Sequence, residues 1–312
     1  MLKILLSRVL AAIPLLAIIS FLIFSLIVLI PGDPAVSLAG QNPTPAQIAA
    51  IRDNLGLNQP FLVRYWHWSS GVLQGDLGQS LFSSQPVWVD ITARLPTTVS
   101  LVALCMLIAV VLGVTMGAVA GLRPGTWVDR GATVLASIGV ALPYFWVGML
   151  LIMMLSVNYP LFPSVGYVPL TEDPWQWFRH LALPAFALSL TPSAIIARQT
   201  RASLVTVMSE DYIRTARAKG LSPVRIVAKH ALKNAALPVI TVFGIEMSRL
   251  LGGTVVIEQL FSLPGIGKLA YDAVFNRDFP VVQGVLLIAA AMVIVINILV
   301  DVSYAYFNPR VR

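Results

Sequence analysis

Six apolar segments, each long enough to cross a lipid bilayer, divide this chain. A helix needs about 20 predominantly apolar residues to span the hydrocarbon core. The segments are Val9–Ile30, Thr97–Leu122, Ala132–Val157, Leu181–Ala197, Ala235–Ile257 and Val281–Tyr304. Only 11% of the 312 residues are charged, whereas about a quarter are charged in a soluble domain. The sequence therefore predicts an all-α integral membrane protein with six transmembrane helices.

Two of these segments depart from an ordinary span. The fourth is short and contains Pro184 and Pro192, which predicts a kinked or irregular helix that neighbouring helices cover. The first follows Lys3 and Arg8, as the apolar region of a signal peptide would. Its apolar run of 22 residues is longer than the roughly 7–15 of a signal peptide, and no small-residue cleavage motif follows it. We therefore expect a retained helix.

The distribution of Lys and Arg predicts the orientation of the spans. If Met1 lies in the cytoplasm, 14 of the 21 basic residues fall on inner segments, six fall on outer segments, and Arg249 lies within a span. Cytoplasmic loops of membrane proteins carry such an excess. We therefore expect both termini in the cytoplasm. The net charge of +7 follows the same asymmetry, so it does not indicate nucleic-acid binding.

A long external loop, residues 31–96, follows the first span. Its opening motif PGDP (31–34) predicts a turn that ends the first helix. Residues 45–55 predict a short helix, with Gly56 after its end. The motif GDLGQS (75–80) predicts a further turn. Between them lies an aromatic cluster typical of a membrane interface, composed of Phe61, Tyr65, Trp66 and Trp68. We expect an external cap of short helices and turns rather than a soluble domain.

The inner loop between the fourth and fifth segments, residues 198–234, carries eight of the 21 Lys and Arg. Ser209 is predicted to cap a helix of about ten residues, and Gly220 is predicted to end it in the left-handed conformation. Ser222 and Pro223 then begin a second helix, since serine caps helices and proline is tolerated in the first turn. The loop is therefore predicted to form two short helices beneath the membrane.

Such a basic loop can bind anionic lipid headgroups or dock a soluble partner. Lipid binding contributes about 1 kcal/mol for each basic residue near the surface. A lipid-binding patch, however, needs neither the acidic pair Glu210–Asp211, which favours a helix N-terminus, nor the Gly-Ser-Pro sequence that separates the two helices. These features favour the docking of a partner over lipid binding.

The run DYIRTARAKG (211–220), with His230 and Asn234 after it, resembles the conserved loop of binding-protein-dependent ABC importer permeases. In the wider superfamily this loop reads Glu-Ala-Ala, three residues, Gly, nine residues, Ile-x-Leu-Pro. Here Arg214–Ala216 stands at the Glu-Ala-Ala position and Gly220 at the glycine. The Ile, Leu and Pro positions are occupied by His230, Leu232 and Lys233. This variant is typical of the dipeptide, oligopeptide and nickel branch of the family.

Further motifs that resemble this branch extend along the chain. They are PGDP (31–34), LGLNQP (55–60), GDLGQS (75–80), FSLPGIG (261–267), RDFPVVQG (277–284) and NPRVR (308–312). The resemblance implies a type I ABC-importer permease fold over residues 1–312, as the B-type subunit of a dipeptide-permease-like system. It also implies a heterodimer with a homologous second permease subunit, two cytoplasmic ATPase subunits and an external solute-binding protein.

The resemblance further implies that the helix at 211–219 is the coupling helix, which receives motion from an ATPase subunit. The coupling residues that it implies are Asp211, Tyr212, Arg214, Thr215, Ala216, Arg217, Lys219 and Gly220. Partner subunits would bind ATP and Mg²⁺, so no cofactor or metal is expected in this chain. The pair Gly267-Lys268 is followed by Leu269, whereas a P-loop needs Ser or Thr there. We therefore expect no enzymatic activity from the chain itself.

Several polar residues lie within or at the ends of the predicted spans. Glu246 and Arg249 share a helix face at i, i+3. Because ionisable groups at this depth face the bundle interior or a water-filled path, they form either a mutual ion pair or a candidate translocation path. Asn297 and Asp301 are expected to bond between helices or to lie at a helix end. Glu258 is expected to be a solvated helix end, with a role in a gate as the alternative.

Two other classes of function remain open from the residues alone. An ion-coupled secondary transporter would need inverted repeats and several buried carboxylates, and Glu246 alone qualifies. A membrane scaffold would have no need of the Glu246–Arg249 pair. For an importer, di- or oligopeptides are the expected cargo, with glutathione or chelated nickel as alternatives. The single cysteine, Cys105, is expected to be a small core residue.

Overall fold

The computed structural model describes residues 2–29, 35–36, 43–54 and 56–307. Three predicted features lie outside these residues, namely the PGDP turn, the NPRVR end and Leu55 of the LGLNQP motif. The described residues are mostly helical, and none of them belongs to a β-strand. The prediction of an all-α protein is confirmed.

The helices are numbered here in chain order. They are α1 (Leu2–Leu29), α2 (Pro45–Asn54), α3 (Phe61–Leu73), α4 (Val87–Gly121), α5 (Trp127–Ala141), α6 (Tyr144–Ile152), α7 (Pro174–Met208), α8 (Asp211–Ala218), α9 (Pro223–Arg225), α10 (Leu232–Leu260), α11 (Ile266–Asn276) and α12 (Phe279–Phe307). Two π-helical turns extend α6 and join α9 to α10, and they are Met153–Asn158 and Ile226–Ala231.

Five helices, α1, α4, α7, α10 and α12, are long and apolar enough to cross a membrane. Helices α5 and α6 meet the same criteria only as a pair, with a bend of 92° between them. The third predicted segment, Ala132–Val157, is therefore a bent pair of helices, and the described residues contain six spans if this pair is one of them. Leu142 at the break is extended, with φ −79° and ψ 126°, because the following residue, Pro143, disfavours the helical conformation before it.

The fourth span is the central helix of the bundle. In α7 the most apolar window is 67% buried, against 11–39% in the other unbroken spans. The helix runs for 35 residues through Pro184 and Pro192, both of them buried. The prediction that neighbouring helices cover this span is confirmed. The predicted shortness and irregularity are wrong, because the helix is unbroken through both prolines and continues beyond Arg198 and Arg201.

Helices α4 and α7 approach each other closely along a row of glycines. Gly113, Gly117 and Gly121 are four residues apart and share one face of α4. A Cβ added at Gly113 would lie 2.7 Å from Cγ2 of Ile196, and one added at Gly117 would lie 2.7 Å from Cβ of Thr200. Small residues at such spacing allow two helix backbones to pack directly. Helices α4 and α7 are therefore expected to move as one body.

The remaining helices complete the bundle around this pair. Cys105 of α4 is fully buried in the main core, as predicted. Near the inner ends of α1 and α12, Nε of Arg8 lies 2.9 Å from Oδ2 of Asp301. The prediction that Asp301 bonds between helices is confirmed, and the two terminal helices meet at the same side of the bundle.

The external segment forms a cap without a domain of its own among the described residues. Helix α2 ends at Asn54 and Gly56 has a φ of +63°, which confirms the predicted helix and its glycine. On α3, Tyr65 packs against Phe21 of α1, with ring centroids 5.2 Å apart. Trp66 stays 70% exposed. The predicted aromatic residues thus play two roles, since Tyr65 packs against α1 whereas Trp66 is exposed.

Candidate coupling surface and intramembrane sites

Helix α8 follows α7 after only two residues, Ser209 and Glu210. The prediction that Ser209 caps α8 was wrong, because its hydroxyl donates instead to the carbonyl of Thr206 at 2.6 Å and ends α7. Glu210 occupies the N-cap position, and α8 has eight residues. The short connection means that a displacement of α8 acts directly on the central helix of the bundle.

Gly220 ends this helix as the sequence predicted. Its φ is +74°, in the left-handed region that glycine adopts at helix ends. Two hydrogen bonds close the end, from N of Gly220 to O of Arg217 at 2.9 Å and from N of Leu221 to O of Ala216 at 3.3 Å. This pair of bonds is the Schellman arrangement. The turn directs the chain back from α8 to α9, which begins at Pro223, as predicted.

One face of α8 is buried against the start of the fifth span. Ile213 is fully buried and packs with Ile226 of the π-helical turn. The hydroxyl of Tyr212 accepts a hydrogen bond from Nδ2 of Asn234 at 3.0 Å. Asn234 also donates to the carbonyl of His230 at 2.9 Å. These contacts fix α8 to the helix that continues into α10, so α8 is seated on two spans at once.

The opposite face of α8 is open. Seven of the predicted coupling residues are exposed, and they are Asp211, Tyr212, Arg214, Thr215, Arg217, Lys219 and Gly220. Ala216 is buried beside Ile213. Nη1 of Arg214 lies 3.2 Å from Oδ1 of Asp211, a surface pair that contributes at most about 1 kcal/mol. The exposed side chains therefore remain available to a partner.

A partly buried ion pair that was not predicted from the sequence joins α5 to the C-terminal part of α7. Arg201 donates from Nε and Nη2 to the two carboxylate oxygens of Asp129, at 2.7 Å for the Nη2 contact. Asp129 is 4% exposed and also accepts from N of Gly125 at 2.9 Å. One of the eight basic residues of the inner loop is thus engaged within the chain. The available signal was a lone acidic residue in the preceding inner loop.

Within the fifth span, Glu246 and Arg249 form the predicted ion pair. Nη1 of Arg249 lies 2.8 Å from Oε1 of Glu246. The two side chains differ greatly in exposure, with 6% for Glu246 and 68% for Arg249. The carboxylate is therefore enclosed by the bundle, whereas the guanidinium is on an open face.

Glu258 contradicts its sequence interpretation as a solvated helix end. The residue is 0% exposed. Its carboxylate accepts from the hydroxyl of Thr98 at 2.7 Å and from N of Lys268 at 2.8 Å. The Thr98 oxygen in turn accepts from N of Ile266 at 2.9 Å. Glu258 therefore caps the start of α11 and joins it to α4 and α10, which only the tertiary contacts could reveal.

Replacement of this carboxylate should destabilise the external end of the bundle. In Glu258→Gln the amide NH₂ replaces one acceptor oxygen, so a buried N–H or hydroxyl loses its partner, at a cost of about 1–3 kcal/mol. We expect a lower thermal midpoint of the purified protein in detergent. Glu172→Gln, at an exposed position, is the matched control. Equal midpoints for the two variants would show that Glu258 does not hold these elements together.

Two external motifs whose bonded residues are 198 positions apart in sequence meet in the structure. The hydroxyl of Ser80 donates to Oδ2 of Asp278 at 2.5 Å, and N of Leu81 donates to Oδ1 at 3.2 Å. A Cβ at Gly78 would lie 3.6 Å from Cβ of Pro280. GDLGQS and RDFPVVQG thus form one external surface, on the opposite side of the chain from α8.

The fold and these contacts define a multi-pass helical membrane subunit with a short helix seated beneath its central spans. The chain belongs to the family of binding-protein-dependent transport system inner membrane components, which its residues 109–312 match. Residues 1–102 match the N-terminal region of the membrane components of the same transport systems. It is a permease subunit of a binding-protein-dependent ABC importer in the bacterial inner membrane, where it works with other subunits of the transporter.

Relatives of known description are similar over their full length. A protein of Brucella abortus (strain 2308) named as a peptide transport system permease is 44% identical over 312 residues, which cover 100% of this chain and 99% of the relative. The glutathione transport system permease protein GsiC of Salmonella choleraesuis is 43% identical with the same coverage. An inward-facing structure of the MetNI methionine ABC transporter matches with a TM-score of 0.58 and 19% identity, over 70% of this chain and 95% of that one. The last similarity establishes the fold, a type I importer permease.

Proposed function

We propose that this chain forms half of a translocation path for di- or oligopeptides. Its partners in this proposal are a homologous second permease subunit, two cytoplasmic ATPase subunits and an external solute-binding protein. The relatives named for peptide and glutathione transport support this cargo. Glutathione is itself a small peptide, so it is the second candidate, and chelated nickel is the third.

The observation that carries the proposal is the seating of α8. In our proposal its exposed face, with Arg214, Arg217 and Lys219, docks into a groove of an ATPase subunit. Closure of the ATPase pair then displaces α8, and the displacement reaches α7 through the two-residue connection and α10 through the Ile213–Ile226 contact. The glycine row and the Asp129–Arg201 pair carry α4 and α5 along with α7. Alternating access follows as a rocking of these spans.

The energy source in this proposal lies in the partners, which bind ATP and Mg²⁺. The assembled importer is reconstituted in proteoliposomes with its ATPase subunits facing the lumen and its binding protein outside. These vesicles should take up labelled dialanine only when the lumen contains ATP. The purified permease chain alone should show no ATP turnover, because its Gly267-Lys268 pair does not form a P-loop. Measurable turnover by a chain free of ATPase subunits would contradict the proposal.

The same vesicles distinguish an ion-coupled transporter from an ABC importer. A protonophore should leave ATP-driven uptake unchanged, whereas uptake without ATP under an imposed proton gradient would favour the secondary transporter. The cargo is identified by mass spectrometry of the ligand bound to the partner binding protein. Glutathione or a nickel chelate found there would replace dipeptides in the proposal without changing the mechanism.

A further inference from the structure

The face of α10 that contains Arg249 is exposed from Ile245 to Gln259. Ile245, Arg249, Gly252, Val256 and Gln259 are all exposed, and their spacing of three and four residues places them on one side of α10. A Cβ added at Gly252 would find no atom within 4 Å. This open strip continues for four turns of the span.

Arg249 lies too deep in the bilayer for its face to contact lipid. It follows Lys233 by 16 residues and precedes Leu260 by 11, which places it about 24 Å and 16 Å from these ends of the helix. Exposure of a guanidinium to hydrocarbon at this depth costs about 3 kcal/mol or more. The strip therefore borders water or a polar surface. Beside this strip, a cavity of about 270 Å³ between α10 and α12 is lined by Ser248 and Gly252, although Arg249 itself does not line it.

The two charged groups of the ion pair differ in their accessibility. The carboxylate of Glu246 is enclosed, so an ammonium group that passes along the strip cannot reach it, while the guanidinium of Arg249 is 68% exposed. Nη1 of Arg249 donates to Oε1 of Glu246 at 2.8 Å, and the other N–H donors of the guanidinium can bind a second acceptor. Arg pairs well with carboxylates through such donors.

We propose that Arg249 contacts the carboxylate of the cargo in the translocation path and that Glu246 is its positioning residue. The inference rests on the proposed function as an importer of peptides. Glu246 holds the guanidinium on the open side of α10 and offsets part of its charge. A partly neutralised site binds an anion weakly enough for it to leave, which conduction through a path requires.

Thiol chemistry tests the site directly in the assembled importer. Cys105 is fully buried, so Gly252→Cys adds one accessible thiol a single turn from Arg249. We expect an impermeant anionic methanethiosulfonate to react with it about ten times faster than with Leu107→Cys, an exposed position on α4. We also expect the anionic reagent to react faster than its cationic counterpart, and this preference to disappear in Gly252→Cys with Arg249→Gln. Equal rates at Gly252→Cys and Leu107→Cys, or an unchanged preference without Arg249, would overturn the proposal.

Transport of dialanine supplies the second test. Arg249→Gln should lower the maximal uptake rate about tenfold with an unchanged KM, because the binding protein sets the concentration dependence, and Arg249→Lys should keep more of the rate. Stimulation of ATPase activity by the binding protein should persist in all variants. Normal uptake by Arg249→Gln would overturn the inference, as would equal losses in both variants with lower thermal midpoints. Failure of the wild-type importer to move any peptide would instead refute the proposed function.

Discussion

Gly117→Leu should prevent this protein from accumulating in a folded form. A Cβ at Gly117 already falls inside the contact distance of the Ala197 carbonyl and lies 2.7 Å from Cβ of Thr200. A leucine here meets helix backbone, which cannot turn away as a side chain can. Overpacking costs about 1–3 kcal/mol in ordinary cores, and here the whole α4–α7 contact must separate. We expect the amount of monodisperse protein after detergent extraction to fall at least fivefold.

The matched control for this prediction is Gly131→Leu. Gly131 also lies within a helix, but it is exposed and an added Cβ finds no atom within 4 Å. Both variants add the same side chain and both gain helix propensity, by roughly 1 kcal/mol relative to glycine. Gly131→Leu should therefore be extracted like the wild type. Similar yields of the two variants would show that the close approach of α4 and α7 does not limit stability.

Gly220→Val should strongly reduce coupled transport while the transporter still assembles. The φ of +74° at Gly220 is strongly disfavoured for a β-branched residue. No atom lies within 4 Å of an added Cβ, so the strain is in the backbone alone. Its relief breaks the bonds that end α8 and redirects the exposed face of that helix. We expect uptake by the reconstituted importer to fall at least about tenfold, since left-handed backbone costs about 1–2 kcal/mol per residue.

Asparagine at the same position separates backbone strain from loss of glycine itself. Asn tolerates the left-handed conformation better than other non-glycine residues, so Gly220→Asn should retain most of the uptake. ATPase activity should remain in both variants, but only Gly220→Asn should respond to the loaded binding protein. Normal uptake with Gly220→Val would show that the end of α8 plays no part in coupling.

Much of the fold followed from hydropathy because a bilayer imposes its own length on a helix. The glycine at position 220 was predictable for a similar reason, since the left-handed conformation at a helix end is a local property of the backbone. The N-cap of α8 was predicted at Ser209, whereas the structure has it one residue later, at Glu210. A serine hydroxyl can bond to the preceding helix or to the following one, and local sequence does not distinguish between them.

The sites that depend on distant residues were not predictable in this way. Glu258 reads as a helix-end carboxylate in its own segment, and it becomes a buried cap only because Thr98 and the start of α11 supply hydrogen-bond donors. In the sequence Arg201 is one of several basic residues of the inner loop, and only the tertiary structure shows that it pairs with Asp129. The predicted fourth span ended at Ala197 because Arg198 and Arg201 follow it, whereas the helix itself continues to Met208.

The sequence by itself determined the class of this protein, its number of membrane crossings to within one broken helix, and the local shape of its inner loop. These features depend on the solvent and on backbone conformation, both of which act within a few residues. The tertiary structure decided which face of α8 is free, which member of the Glu246–Arg249 pair is accessible, and which carboxylates are buried. Burial is a property of the packed bundle, because it depends on what the neighbouring helices leave uncovered.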